Sequence, residues 1–198
     1  MINEDNREEF LSKQLLNHLK LIRSNFSFGL LFWALLRDPK TAEGLQVHQV
    51  VVKPDGIYAI PPGKRMHIPE GESYYTLELG GPKKKDFKHA SIEFVKLHLR
   101  VFVVETFEKL KTHCDAIGQD SAFKACNWYQ FARMIRNSLT HDQNWRFNKY
   151  DKSVLPVSWN GKTINLTMDD TEMTWEFFDP YDAIELSDEM YEFAKSVC

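Results

Sequence analysis

The sequence has few cysteines, no CxxC pair, no phosphate loop of the Walker type and no apolar run long enough to span a bilayer. Its three cysteines (Cys114, Cys126 and Cys198) are odd in number and far apart. That excludes a disulfide framework. His113-Cys114 has no second ligand pair at metal-site spacing, so a structural zinc is not expected either. The thiols read as reduced, with Cys114 and Cys126 as small core residues. Gly80-Gly81-Pro82-Lys83 lacks both the spacing and the following Ser or Thr of a phosphate loop. No metal or cofactor is called for. The longest strongly apolar stretch, Phe26 to Leu36, is about half a bilayer span. It lies too far inside the chain, after an acidic N-terminus, to read as a signal peptide. It predicts a buried helix in a cytoplasmic protein with no membrane partner. No internal repeat or low-complexity segment occurs.

What is present suits one ordinary domain. At 198 residues the chain can enclose a substantial core. Its 43% hydrophobic and 27% charged residues exclude wholesale disorder, and fourteen Phe, seven Tyr and five Trp supply the bulk. The net charge of −3 hides an uneven distribution. From Lys83 to Lys149 thirteen Lys and Arg stand against seven Asp and Glu, while Thr167 to Cys198 holds ten acids and one Lys. The basic region permits a polyanion partner. Two solvated faces of opposite sign explain the pattern equally well.

Hydrophobic periodicity sets the order of elements. Phe10, Leu11, Leu15, Leu16, Leu19 and Ile22 predict an amphipathic helix over 5–22. A second helix starts at Phe26 and is ended by Asp38-Pro39. Residues 41–82 read as a β insert: Val47 and Val50 to Val52, then Tyr58 to Ile60, flank the turn Lys53-Pro54-Asp55-Gly56, and Tyr74 to Leu79 is a further strand. Ile92, Val95, Leu99, Phe102, Val103, Phe107 and Leu110 stripe a helix over 87–116. Ser121 or Asp120 is placed to cap the next helix, which runs to about His141. Asn160-Gly161 marks a type I′ hairpin within about 154–167. A final acidic helix spans about 180–196. The fold class is therefore mainly α with some β (α+β), read as a single domain over 1–198.

The chemistry concentrates at the end of the helix that reaches His141. Asn137 and His141 lie four apart on one face, with Arg133 a further turn back. Arg136 is about 140° round an ideal helix from His141. It reaches the same site if the helix end frays or two subunits build the site together. A histidine can take the proton of a ribose 2′-hydroxyl or give one to the leaving oxygen. An arginine offers planar, permanently charged donors to the phosphoryl group. A helix C-terminus also favours a cationic side chain, which suits a general acid. No step in this chemistry needs a metal. The plainer reading makes Arg136 a snorkelling surface residue and His141 a C-terminal cap.

Arg136-Asn137-x-x-x-His141, preceded by Trp128-Tyr129-Gln130-Phe131-Ala132-Arg133, resembles the Arg-x4–6-His signature of the HEPN superfamily (higher eukaryote and prokaryote nucleotide-binding), in which a polar residue often follows the Arg. The resemblance implies a bundle of about four or five helices with the motif at the end of a core helix. It implies an RNA-cleaving site of Arg136 and His141 supported by Asn137, formed in a homodimer. It also implies a role in prokaryotic toxin–antitoxin or anti-phage defence systems, with an antitoxin or regulatory protein as a further partner. Some members only bind, so a non-catalytic module for RNA, a nucleotide or a protein stays open. Members paired with a nucleotidyltransferase antitoxin often carry a Tyr two residues after the His, where this chain has Gln143.

Arg133, Thr140, Trp145, Arg146 and Lys149 are the expected substrate contacts. The interleaved Trp145, Arg146, Phe147, Lys149 and Tyr150 suit unpaired bases, and suit packing of the hairpin as well. Lys83-Lys84-Lys85, Lys88 and His89 either contact phosphates or form a solvated loop. The acidic C-terminal stretch either covers a basic cleft as a brake or is a solvated face. A third reading makes the chain a helical interaction protein whose acidic tail docks a basic partner.

Overall fold

The computed structural model describes residues 4–37, 49–53, 56–60, 66, 67, 69, 75–78 and 84–198. Helix α1, Glu4–Arg37, is continuous where the periodicity predicts two helices. The polar break at Arg23-Ser24-Asn25 stops nothing, because Ser24 Oγ folds back onto the Lys20 carbonyl at 2.9 Å and leaves the backbone ladder intact. Leu15, Leu19 and Phe26 are buried, but Phe28, Leu31 and Phe32 are 71%, 56% and 39% exposed. The expectation of a wholly buried helix from Phe26 is thus corrected. A run apolar on every side turns only part of its circumference to a neighbour.

Two compact units make up the chain, Met1–Phe28 with Lys96–Cys198, and Gly29–Val95. The second contains the β insert. Strands β1 (Gln49–Lys53), β2 (Gly56–Ile60) and β3 (Tyr75–Glu78) form an antiparallel sheet in the order β2-β1-β3. Lys53 pairs with Gly56 and Val51 with both Tyr58 and Thr76. The predicted strands are therefore present. Val47, Tyr74, Leu79, Pro54-Asp55 and Gly80-Gly81-Pro82 lie outside the described residues, as does Asp38-Pro39. Within this unit the rings of Phe32 and Phe94 pack at 5.8 Å.

Helix α2 (Lys84–Ala116) carries the predicted stripe, and in the part of it that belongs to the first unit Leu99, Phe102, Phe107 and Leu110 are at most 3% exposed. Phe26 stacks on Phe102 at 4.2 Å, which fastens α1 to α2. Each such ring contributes about 1.5–3 kcal/mol on burial. The single helix expected from about residue 120 to His141 is instead two, α3 (Asp120–Lys124) and α4 (Tyr129–Thr140). Neither Ser121 nor Asp120 caps α3; Gln119 precedes it and makes no side-chain cap bond. The break is held by aromatic packing. Phe123 lies 5.4 Å from Phe107, 5.7 Å from Trp128 and 5.0 Å from Tyr129, a cluster one straight helix could not bring together. Cys114 is fully buried, as expected, whereas Cys126 is only half-buried.

Helix α5, Lys149–Val154, was not anticipated. Asn148 and Asp151 form its reciprocal capping box, at 2.9 and 3.0 Å. Strands β4 (Val157–Trp159) and β5 (Lys162–Ile164) make the predicted hairpin, with Trp159 paired to Lys162. Asn160 and Gly161 have φ of 46° and 75°, the left-handed pair a type I′ turn requires. A short 3-10 turn at Leu166–Met168 leads on towards α6, Pro180–Val197. Helix α6 buries Ala183, Leu186, Met190 and Ala194. Its acidic face binds the hairpin: Glu189 accepts from Trp159 Nε1 at 2.8 Å, Glu185 from Asn160 at 2.6 Å, and Asp182 pairs with Lys162 at 3.0 Å. Asp188 pairs with Arg23 of α1. The fold is mainly helical with a small β component, as the sequence indicates.

Candidate functional site

Helix α4 places the motif. Its apolar face is anchored by Phe131, Ala132, Ile135 and Leu139, all fully buried, while Arg133, Arg136, Asn137 and Thr140 are left half-buried along its last turns. The helix ends at His141, with φ −108° and ψ 48°, whose N–H reaches the carbonyls of Asn137 (3.1 Å) and Ser138 (3.0 Å). Asn137 and His141 both line one open cleft of about 450 Å³. Arg146, Phe147, Asn148, Asp151, Lys152, Asp169 and Asp170 complete it. His141 is exposed and Asn137 half-buried.

Arg136 does not line this cleft. Its Nη2 pairs with Glu108 of α2, and its Nη1 donates to Asn137 Oδ1 at 2.9 Å. The motif is thereby linked in series, with Glu108 holding Arg136, Arg136 orienting Asn137, and Asn137 facing the cleft beside His141. Arg136 Nε is buried without a hydrogen-bond partner, as is the Ser138 hydroxyl.

The remaining predicted contacts divide. Arg146 is exposed and lines the cleft. Arg133 is committed elsewhere: it pairs with buried Asp151 at 2.5 Å, donates to Gln130 at 3.0 Å and lies 4.8 Å from the Tyr150 ring centroid. That arrangement ties α5 to α4. Thr140 returns its hydroxyl to the Asn137 carbonyl at 2.8 Å. Lys149 is exposed on α5 but is not part of the cleft lining. Trp145 is 1% exposed and packs 5.4 Å from Phe177 and 6.0 Å from Phe147. Its ring serves the core and offers no face on which a base could stack. His89 is exposed, while Lys83 and the side chains of Lys84, Lys85 and Lys88 lie outside the described residues.

The loop after the motif is rigidly strapped. Asp142 and Gln143 both have positive φ, 55° and 61°, unusual for non-glycine residues. The Asn144 N–H closes the turn on the His141 carbonyl at 3.0 Å. Trp145 exchanges bonds of 2.9 Å with residues 170 and 171, and the Met173 N–H reaches the Gln143 carbonyl at 2.6 Å. This pairing brings Asp169 and Asp170 into the cleft. Asp169 accepts the Phe147 N–H at 2.9 Å and the Lys152 ammonium at 2.7 Å. Lys152 foremost, then the Phe147 amide, holds the Asp169 carboxyl below its ordinary value; the same contact raises the Lys152 ammonium.

Sequence reasoning missed Asn148, Asp151, Lys152, Asp169 and Asp170. For Asn148 and Asp151 a signal existed, since Asn-x-x-Asp is capping-box spacing. Nothing local announces Asp169 or Asp170, which arrive through long-range pairing. Among the described residues no group of three or more His, Cys, Asp and Glu side chains is placed to hold a metal ion, and no helix is long and apolar enough to cross a membrane. Compared with models of known families, with curated proteins and with solved structures, the chain matches none.

Proposed function

We propose that this chain is a metal-independent endoribonuclease of the HEPN type, in which His141 is the general acid or base and Arg136 stabilises the phosphoryl group. The observation that supports this most is the placing of Asn137 and His141 on one open cleft with Arg146 and Lys152, while Arg136 holds Asn137. The ribose 2′-oxygen attacks the adjacent phosphorus as His141 accepts its proton, and the 5′-oxygen leaves with a proton returned to it. The products are a 2′,3′-cyclic phosphate and a 5′-hydroxyl. For Arg136 to meet the phosphate, its guanidinium exchanges Glu108 for the substrate, in a cleft completed by a second copy of the chain. A homodimer acting in prokaryotic defence or a toxin–antitoxin system, in the cytoplasm and under an antitoxin or other regulatory protein, fits this reading. End-group analysis of the cleaved RNA tests it, since 3′-hydroxyl and 5′-phosphate ends would exclude attack by the 2′-oxygen.

A second reading rests on a different observation. Arg136 is already paired, and Asp151, Asp169 and Asp170 offset the cleft cations. A non-catalytic module that clamps RNA, a nucleotide or a protein partner through Arg146 and Asn137 suits that balance. It predicts ligand binding without turnover.

A further inference from the structure

Asp169 sits in the cleft as a substrate phosphate would. A backbone amide and an ammonium converge on its two oxygens, Phe147 N–H on Oδ1 at 2.9 Å and Lys152 Nζ on Oδ2 at 2.7 Å. Charge-assisted donors of this kind serve carboxylates and phosphates alike. His141, Asn137 and Arg146 line the same cleft, and Arg146 has no ion-pair partner among the described residues. The Asp169 backbone is fixed on both sides: its own N–H reaches the Leu166 carbonyl at 3.2 Å, and the Asp170 N–H reaches the Trp145 carbonyl at 2.9 Å. Only the side chain is left to move, and it is 22% exposed.

We propose that the Phe147 amide and the Lys152 ammonium form a phosphate subsite for single-stranded RNA, which the Asp169 carboxylate occupies until a backbone phosphate displaces it. The inference rests on the ribonuclease reading for its ligand class. It also gives a role to a carboxylate that stands among the cleft's cations, Arg146 and Lys152. Asp169 sets a threshold, because a ligand must supply an anion that outcompetes a tethered one, which disfavours neutral or weakly charged ligands. Asp170 lines the same cleft without touching either donor and supplies the internal control.

The test is binding of a short fluorescent RNA with every 2′-hydroxyl methylated, which cannot be cleaved by 2′-oxygen attack. Asp169→Asn keeps an acceptor for the Phe147 amide and removes the competing charge. It should tighten binding by roughly fivefold, whereas Asp170→Asn should change it by about twofold or less. Adding Lys152→Ala to Asp169→Asn should abolish the gain. Inorganic phosphate should displace the RNA from Asp169→Asn at lower concentration than from wild type. Equal gains from the two aspartates would reduce the effect to the general field and overturn the subsite; so would a gain that survives loss of Lys152, or no gain at all. Asp169→Ser, checked with Asp169→Asn by near-ultraviolet circular dichroism, guards against misfolding of a single variant. Loss of cleavage with the gain retained sinks the ribonuclease reading alone, while cleavage without the gain sinks the subsite alone.

Discussion

Replacing Asp151 with alanine should strongly destabilise the protein. The carboxylate is 1% exposed; Oδ1 pairs with Arg133 at 2.5 Å, and Oδ2 accepts the Asn148 N–H at 3.0 Å. Removing one partner of a buried pair costs about 3–5 kcal/mol, because a charge is left uncompensated. Arg133 is 15% exposed and keeps Gln130 and the Tyr150 face, which places the cost at the lower end. Half of the α5 capping box is lost as well, worth about 1 kcal/mol. The expected total is ~4 kcal/mol, a fall in melting temperature of roughly 8–16 °C for a chain of this size. Asp151→Asn, which retains an acceptor for Asn148, should cost less. The pair Arg133→Met with Asp151→Leu should recover most of the loss, since neither charge then remains. Thermal and urea unfolding of wild type, Arg133→Met, Asp151→Leu and the double variant supplies the coupling energy. A loss below about 0.5 kcal/mol for Asp151→Ala, or strict additivity in the double variant, would refute the argument that this pair fixes α5 to α4.

Other consequences are as direct. Gly161→Ala should cost about 1 kcal/mol in urea unfolding; its φ is +75° and no atom crowds the added Cβ, so a neutral result would contradict the turn assignment. Burial pushes the Cys114 thiol up from 9.0 to about 12, so the unfolded chain loses that proton first as pH rises. Stability should therefore be unaffected by this group below pH 9 and fall by up to about 1.4 kcal/mol per pH unit between 9 and 12. Cys114→Ala should flatten that slope in alkaline unfolding curves. Glu108→Gln should leave RNA cleavage intact or raise it while Arg136→Ala abolishes it; equal losses from both would mean that Arg136 acts only as a structural partner of Glu108.

Local chemistry in the sequence announces some of these features and not others. The hairpin was legible because Asn160-Gly161 demands its turn type, and the β insert because β-branched runs flank a turn sequence. The split between α3 and α4 was not, since no Gly or Pro marks residues 125–128 and the break follows from packing around Phe123. The continuity of α1 across Ser24 was hidden for the opposite reason: a polar triplet resembles a stop although the hydroxyl closes back on its own helix. In the site, Asn137 and His141, four apart in the sequence, line one cleft. Trp145 looked like a base-stacking residue, yet the strap from residues 170–173 draws it into the core. The same strap delivers Asp169 and Asp170, a contact of high sequence separation that no local pattern encodes.

Whether Arg136 and His141 cleave RNA without a metal is tested by incubating a mixed RNA pool with purified wild type, Arg136→Ala and His141→Ala in excess EDTA. Wild type should cleave the RNA, and both variants should lose cleavage while remaining folded. Cleavage that survives in His141→Ala, or that wild type shows only when a divalent metal is restored, would contradict it.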